Sequence, residues 1–233
     1  MRKLFIVFLV FISCAISTQA QGPGGLGRFK IGQTTANIID SLKNENNLKE
    51  APQITSNQVA TKLPYSRFAM LELIIDTVSF DNTNPNLLPV NGVRVFVISL
   101  YEVAGMELHW LYLTFYKDTL VKISARHDET VYNIQDAFEK KFGKGAYKLT
   151  RTKSSCAGAE DESTETELWH NGSIETNIYD RIFYNSACVK TLESLFTCCK
   201  KSVFDALSTL QKSELIKLNK RKQMKEKQKL SDF

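Results

Sequence analysis

"VRVFVISLYEVAGMELHWLYLTFYKDTLVKISA", residues 93–125, holds three runs in which β-branched and aromatic residues crowd out helix formers: Val93 to Tyr101, Glu107 to Tyr116 and Thr119 to Ala125. The "YKDT" link leaves room only for a tight turn, so the last two runs are neighbours in one sheet. Upstream, Phe68 to Phe80 is rich in Leu, Ile and Val and leads into a turn region, Asp81 to Pro89, that carries Asn and Pro. These four runs predict an antiparallel meander.

Toward the N-terminus, "FKIGQTTANIIDSL" (29–42) predicts a helix capped by Thr34 or Thr35 that turns Ile38, Ile39 and Leu42 inward. Lys43 to Lys62 is polar, weakly patterned and reads as a loop. Toward the C-terminus, Thr130 caps a second helix with Val131, Ile134, Phe138 and Phe142 at helical spacing and Gly143 as its stop. Strand-like "AYKLTRT" (146–152) comes next, then an acidic loop around Glu160 to Glu165. "TELWHNGSIETNIYDRIFY" (166–184) then predicts two strands about Asn171-Gly172, which makes the Asn171-Gly172-Ser173 sequon a turn. From near Lys190, Leu192, Leu195, Phe196, Cys199, Val203, Leu207 and Leu210 fall on one helical face and predict a long closing helix. The expected fold is α+β, with antiparallel sheets and helices in two helix-plus-sheet units (29–126 and 127–210) closed by that C-terminal helix.

Arg2 and Lys3 precede an apolar run from Leu4 to Ile12 and then small residues, the layout of a secretory signal over 1–20. Thr18-Gln19-Ala20 offers a cleavage site. The alternative is lipid attachment at Cys14, disfavoured by the bulky Phe11 three places earlier. Gln21 to Arg28 is Gly-rich and reads as a flexible lead-in. Of the formal charge of +5, residues 211–233 supply all, with eight Lys/Arg against three Asp/Glu, and Arg2 and Lys3 add two more. The body is therefore near neutral, at −2, which argues against a nucleic-acid-binding surface. The tail over 211–233 reads as a basic helix able to meet an anionic partner or membrane surface.

Four cysteines lie beyond residue 20: Cys156, Cys188, Cys198 and Cys199. In an oxidising compartment an even count favours disulfides, with three possible connectivities. Were Cys188 and Cys199 on one helix they would stand ~16 Å apart, far beyond the ~7 Å that a bridge tolerates. A bridge from Cys156 to the closing helix is therefore expected, with the fourth thiol paired only if Cys188 lies off it. Four-cysteine zinc lacks the C-x2-C pair it needs.

The three histidines, His109, His127 and His170, limit metal and acid–base designs, and no metal or cofactor site is expected. "RHDET" sends adjacent side chains to opposite faces of a strand. Glu160, Asp161, Glu162 and Glu165 lack a calcium-loop spacing. No G-x-S-x-G, S-x-x-K or H-E-x-x-H occurs, so no catalytic residue is assigned. Trp110, Tyr112 and Tyr116 share one strand face, and with Trp169 they are the candidates for an aromatic platform taking a glycan or peptide. The same face could equally be core.

"FKIGQTTANIIDSL", "LTFYKDTLVKI", "DAFEKKFGKG" and "ELWHNGSIETNIYDRIFY" together resemble the pattern of uncharacterised secreted proteins of the Bacteroidetes. That pattern is loosely similar to small outer-membrane-assembly lipoproteins and β-lactamase-inhibitor-type α+β domains. The resemblance implies helices paired with an antiparallel sheet and an envelope location. The expected function is that of a secreted or periplasmic non-catalytic protein that binds an envelope protein or ligand, the alternative being an envelope hydrolase whose site assembles only in the fold.

Overall fold

A computed structural model of the chain describes residues 23–64, 66–75, 86–103, 105–126 and 131–231. The signal segment with Cys14, the end of the Phe68–Phe80 run and the start of the Asp81 turn (76–85), His127 and the Thr130 cap lie outside the described residues.

The predicted meander is present. Strands β4 (Met70–Ile74), β5 (Val93–Val103), β6 (Met106–Tyr116) and β7 (Thr119–Arg126) pair antiparallel in chain order. Lys117 and Asp118 join the last two with φ of 47° and 63°, the left-handed pair that a two-residue hairpin turn demands. Preceding them are a small hairpin of β1 (Gly25–Leu26) and β2 (Phe29–Lys30), helix α1 (Ile38–Glu45), strand β3 (Gln53–Thr55) and helix α2 (Val59–Lys62). The expected loop 43–62 thus contains an edge strand and a short helix. The Gly-rich lead-in is likewise ordered from residue 23, where the Pro23 carbonyl accepts a bond from the buried Thr176 hydroxyl at 3.1 Å.

Helix α3 (Val131–Phe142) stops where expected, Gly143 taking φ 77° and donating its N–H to the Glu139 carbonyl. Strands β8 (Ala146–Thr152), β9 (Glu162–Asn171) and β10 (Ile174–Tyr184) follow, β9 and β10 joined by Gly172-Ser173. The acidic loop is therefore shorter than expected, since Glu162 and Glu165 already belong to β9.

One prediction fails. Residues 190–200 form a strand, β11 (Lys190–Lys200), and the closing helix α4 begins only at Lys201, running to Ser231. Leu192, Ser194, Phe196 and Cys198 alternate along this segment as regularly as Leu192, Leu195, Phe196 and Cys199 recur along a helix. Pairing decides between the two periods. β11 joins β10 along eleven residues and pairs Leu195–Cys199 with Lys122–Arg126 of β7. As a helix it would leave backbone donors of both neighbours unsatisfied. Strands of both expected units consequently share one nine-stranded sheet, ordered β3-β4-β5-β6-β7-β11-β10-β9-β8.

One face of this sheet carries the main core. Leu111, Leu113, Phe115, Ile123, Phe196 and Ile178 meet Phe29, Ile39 and Leu42 from the N-terminal segment and Ile134 and Phe138 from α3. On the other face, Leu71, Leu73, Val95 and Val97, with Ile54 of the neighbouring β3 beside them, are covered by Val59 of α2 and by Leu63 just after it. α4 lays Val203, Phe204 and Leu207 against Val121, Val90 and Leu87. Leu210, expected inward, is half exposed, and the docked stripe continues through Gln211 and Leu215.

Phe196 sits at the junction of the two halves, its ring 5.6 Å from that of Phe138. Phe196→Ala is expected to cost about 3–5 kcal/mol, read as a lowered denaturant midpoint with an unchanged slope.

Candidate functional site

The bulge in β6 shapes the second sheet face. Trp110 and Leu111 together stand opposite Ala125, between the His109–Arg126 and Tyr112–Ser124 pairs. Trp110 is held at φ 50°, an uncommon conformation for a bulky residue. Its ring lies under the Arg126 guanidinium, 5.2 Å from the centroid, and Arg126 in turn pairs with Glu193 of β11 at 2.8 Å. Tyr112 packs beside Trp110 against the β4–β5 core, and burial pushes its hydroxyl pKa up. Tyr116 joins the α4 contact instead.

Trp169 is not part of this surface. It is 4% exposed on the opposite sheet face, its ring 5.7 Å from that of Phe138, and its Nε1 donates to the Gly143 carbonyl at 2.8 Å. The four-aromatic platform is thereby corrected: Trp110, Tyr112 and Tyr116 share a face as expected, whereas Trp169 locks the end of α3 onto β9. Beyond Arg126 the Trp110 face continues over β11, β10 and β9 through Leu195, Tyr179 and Thr166, all half-buried.

The cysteine assignment is corrected as well. Cys156 bridges Cys188, with Cα atoms 5.7 Å apart, tying the loop after β8 to the turn between β10 and β11. Cys188 precedes the strand and lies on no helix, so the distance argument against it does not apply. Cys198 and Cys199 are buried free thiols on opposite faces of β11. Burial raises both pKa values, that of Cys198 to about 12. A shallow depression of about 480 Å³ adjoins the disulfide, lined by Tyr184 and by the ion-paired Glu160 and Lys190.

The remaining polar candidates are dispersed. His109 stands on β6 and His170 on β9. Glu160 pairs with Lys190 and Glu162 with Arg181, which sends two carboxylates of the acidic run to separate cations. Among the described residues no group of three or more His, Cys, Asp or Glu is placed to hold a metal ion.

Sequence reasoning missed Glu167. It is 4% exposed, and its Oε1 accepts the Gly145 N–H at 2.6 Å. A Cβ on Gly145 would come within 2.8 Å of Glu167 Cγ and of the Leu168 carbonyl oxygen, so this approach requires glycine. Burial, with the nearby Glu139, raises the Glu167 pKa, outweighing the Gly145 bond that lowers it. The signal was faint: a Glu at a strand position that alternation assigns inward.

The second site is the free end of α4. Lys217, Lys220, Arg221, Lys222, Lys225, Lys227 and Lys229 follow the last docked residue, Leu215, and stand exposed, with Glu226 the one acid up to residue 229. Cations at a helix C-terminus complement its dipole. Among the described residues no helix is long and apolar enough to cross a membrane. Comparison of the chain with protein-family models, with curated proteins and with solved structures gives no match.

Two outcomes are expected. Under native conditions Cys198 and Cys199 resist alkylation, whereas unfolding without reductant exposes both and leaves Cys156 and Cys188 unmodified, as peptide mass mapping will show. Because the Glu167 carboxyl binds its proton more tightly folded than unfolded, stability falls as pH rises from the ordinary carboxylate range through the raised value. Glu167→Gln removes that loss, so it raises the melting temperature at neutral pH and leaves it unchanged near pH ~3, where both states are protonated.

Proposed function

We propose that this chain is a secreted, non-catalytic protein of the bacterial envelope that works by binding, with the free end of α4 as the element that meets an anionic surface. The carrying observation is that helix. At ~1.5 Å per residue, the stretch after Leu215 reaches about 20 Å beyond its last docking contact, and its cations are spread around the axis instead of forming a stripe. Such an arm adheres by charge, each cation contributing ~1 kcal/mol near an anionic membrane. The sheet supplies a fixed base for it, since Gln211 Nε2 donates to the Leu88 carbonyl at 2.8 Å and Lys122 Nζ lies 4.7 Å from the Phe204 ring centroid. Export is supported by the Arg2-Lys3 and Leu4–Ile12 layout and by the Cys156–Cys188 bridge, which suits an oxidising compartment.

An envelope hydrolase finds one supporting observation, the neighbouring carboxyls of Glu139 and Glu167. Glu167 is too enclosed to reach a substrate without movement of α3 or β9. Binding is therefore the stronger reading.

Vesicles of phosphatidylglycerol and phosphatidylcholine are expected to co-sediment with the full chain at low salt and to release it as salt is raised. Vesicles of phosphatidylcholine alone will not retain it. Replacing Lys220, Arg221, Lys222, Lys225, Lys227 and Lys229 by Gln weakens binding at least a hundredfold. Equal binding of this variant, or of neutral vesicles, would overturn the assignment.

A further inference from the structure

The nine-stranded sheet has two unlike ends. At one end β3 is three residues long, with Ile54 buried under α2. At the other, β8 runs for seven residues, all of them exposed, and among the described residues no strand pairs with its outer side. An edge of this kind presents a row of unpaired backbone groups and is ordinarily blunted by a bulge, a proline or a covering element. β8 pairs with β9 in unbroken register from Ala146–Leu168 to Thr152–Glu162 and contains no proline or glycine. Tyr147 and Leu149, on one face of it, are 57% and 40% exposed.

Charge is the one device left on this edge. Lys144, Lys148, Arg151 and Lys153 are exposed, no acidic residue lies between Gly143 and Ser155, and none of the four cations forms an ion pair among the described residues. That pattern discourages a second copy of the same edge, which would line eight cations, four from each, along one seam. It favours an acidic strand. The chain itself supplies the example: β9, the strand β8 does pair with, carries Glu162, Glu165 and Glu167 and no Lys or Arg.

We infer that the outer edge of β8 is a docking site for an extended acidic segment of a partner protein, which adds to the sheet as a tenth strand. Main-chain hydrogen bonds along ~23 Å of edge supply the affinity, and alternate side chains supply the selectivity. Residues of the segment on one face pack beside Tyr147 and Leu149 and are apolar. Those on the other face lie beside Lys148 and are Asp or Glu, and Arg151, which follows Leu149 on the first face, draws one further acidic residue at the end of the segment. This site is separate from α4 and does not depend on the reading of that helix.

The test uses fluorescein-labelled, N-acetylated heptapeptides and the full chain. A peptide alternating Glu and Val is expected to bind at least tenfold more tightly than its Lys/Val counterpart, and to shift backbone amide resonances in 146–152. Lys148→Glu with Arg151→Glu reverses the preference, whereas neutralising the α4 lysines with Gln leaves it intact. Methylating alternate peptide nitrogens abolishes binding while keeping the charge. Equal binding of the two peptides, retained binding by the methylated one, or no effect of the β8 substitutions would overturn the proposal. So would a dimer in sedimentation that the β8 substitutions dissociate, because a second copy would then be the occupant.

Discussion

The pairing of Lys122–Arg126 with Leu195–Cys199 is the seam on which the rest of the molecule depends. It joins a meander built from local hairpins to strands that arrive about seventy residues later, and it sets the phase of every side chain on both halves. A slip of one residue would send Phe196 and Cys198 to the outer face and Leu195 and Cys199 to the core. The observed register buries Phe196 between Ile123, Ala125 and Phe138, and it leaves Arg126 beside Glu193 on the other face. Since α4 starts at the residue after β11, the same seam decides where the closing helix lands.

Coverage then separates structural from available surface. β4 and β5 are buried on both faces, by the N-terminal segment and α1 on one side and by α2 with Leu63 on the other. Among the described residues β8 through β10 lack that second cover, because α2 and α4 both dock over the meander half. Trp110 stands on the boundary, its backbone turned by the bulge and its ring capped by Arg126. The disulfide ties the loop after β8 to the turn between β10 and β11. Two of the exposed elements, the β8 edge and the end of α4, are cationic.

Local features were legible wherever local physics decides them. The three central strands, the Lys117-Asp118 turn, the Gly172 turn and the Gly143 stop follow from propensity and from backbone conformations that few residues tolerate. The α+β class and the long basic helix were legible for the same reason. Residues 190–200 were not, because their apolar pattern satisfies both a period of 2 and one of 3.6. Trp169 was misplaced among candidate binders because an aromatic at a strand position carries no mark of which face will be covered.

What the sequence by itself determined is therefore the inventory of elements, their turns and the segregation of charge into the tail, all set by interactions within a few residues. Tertiary structure alone decided that 190–200 is a strand, that Cys156 meets Cys188, that Glu167 is enclosed and that β8 is left as an edge. Each of these depends on which distant backbone satisfies a given row of donors and acceptors, and hydrogen-bonding groups identical at every residue leave no trace of that choice in the local pattern.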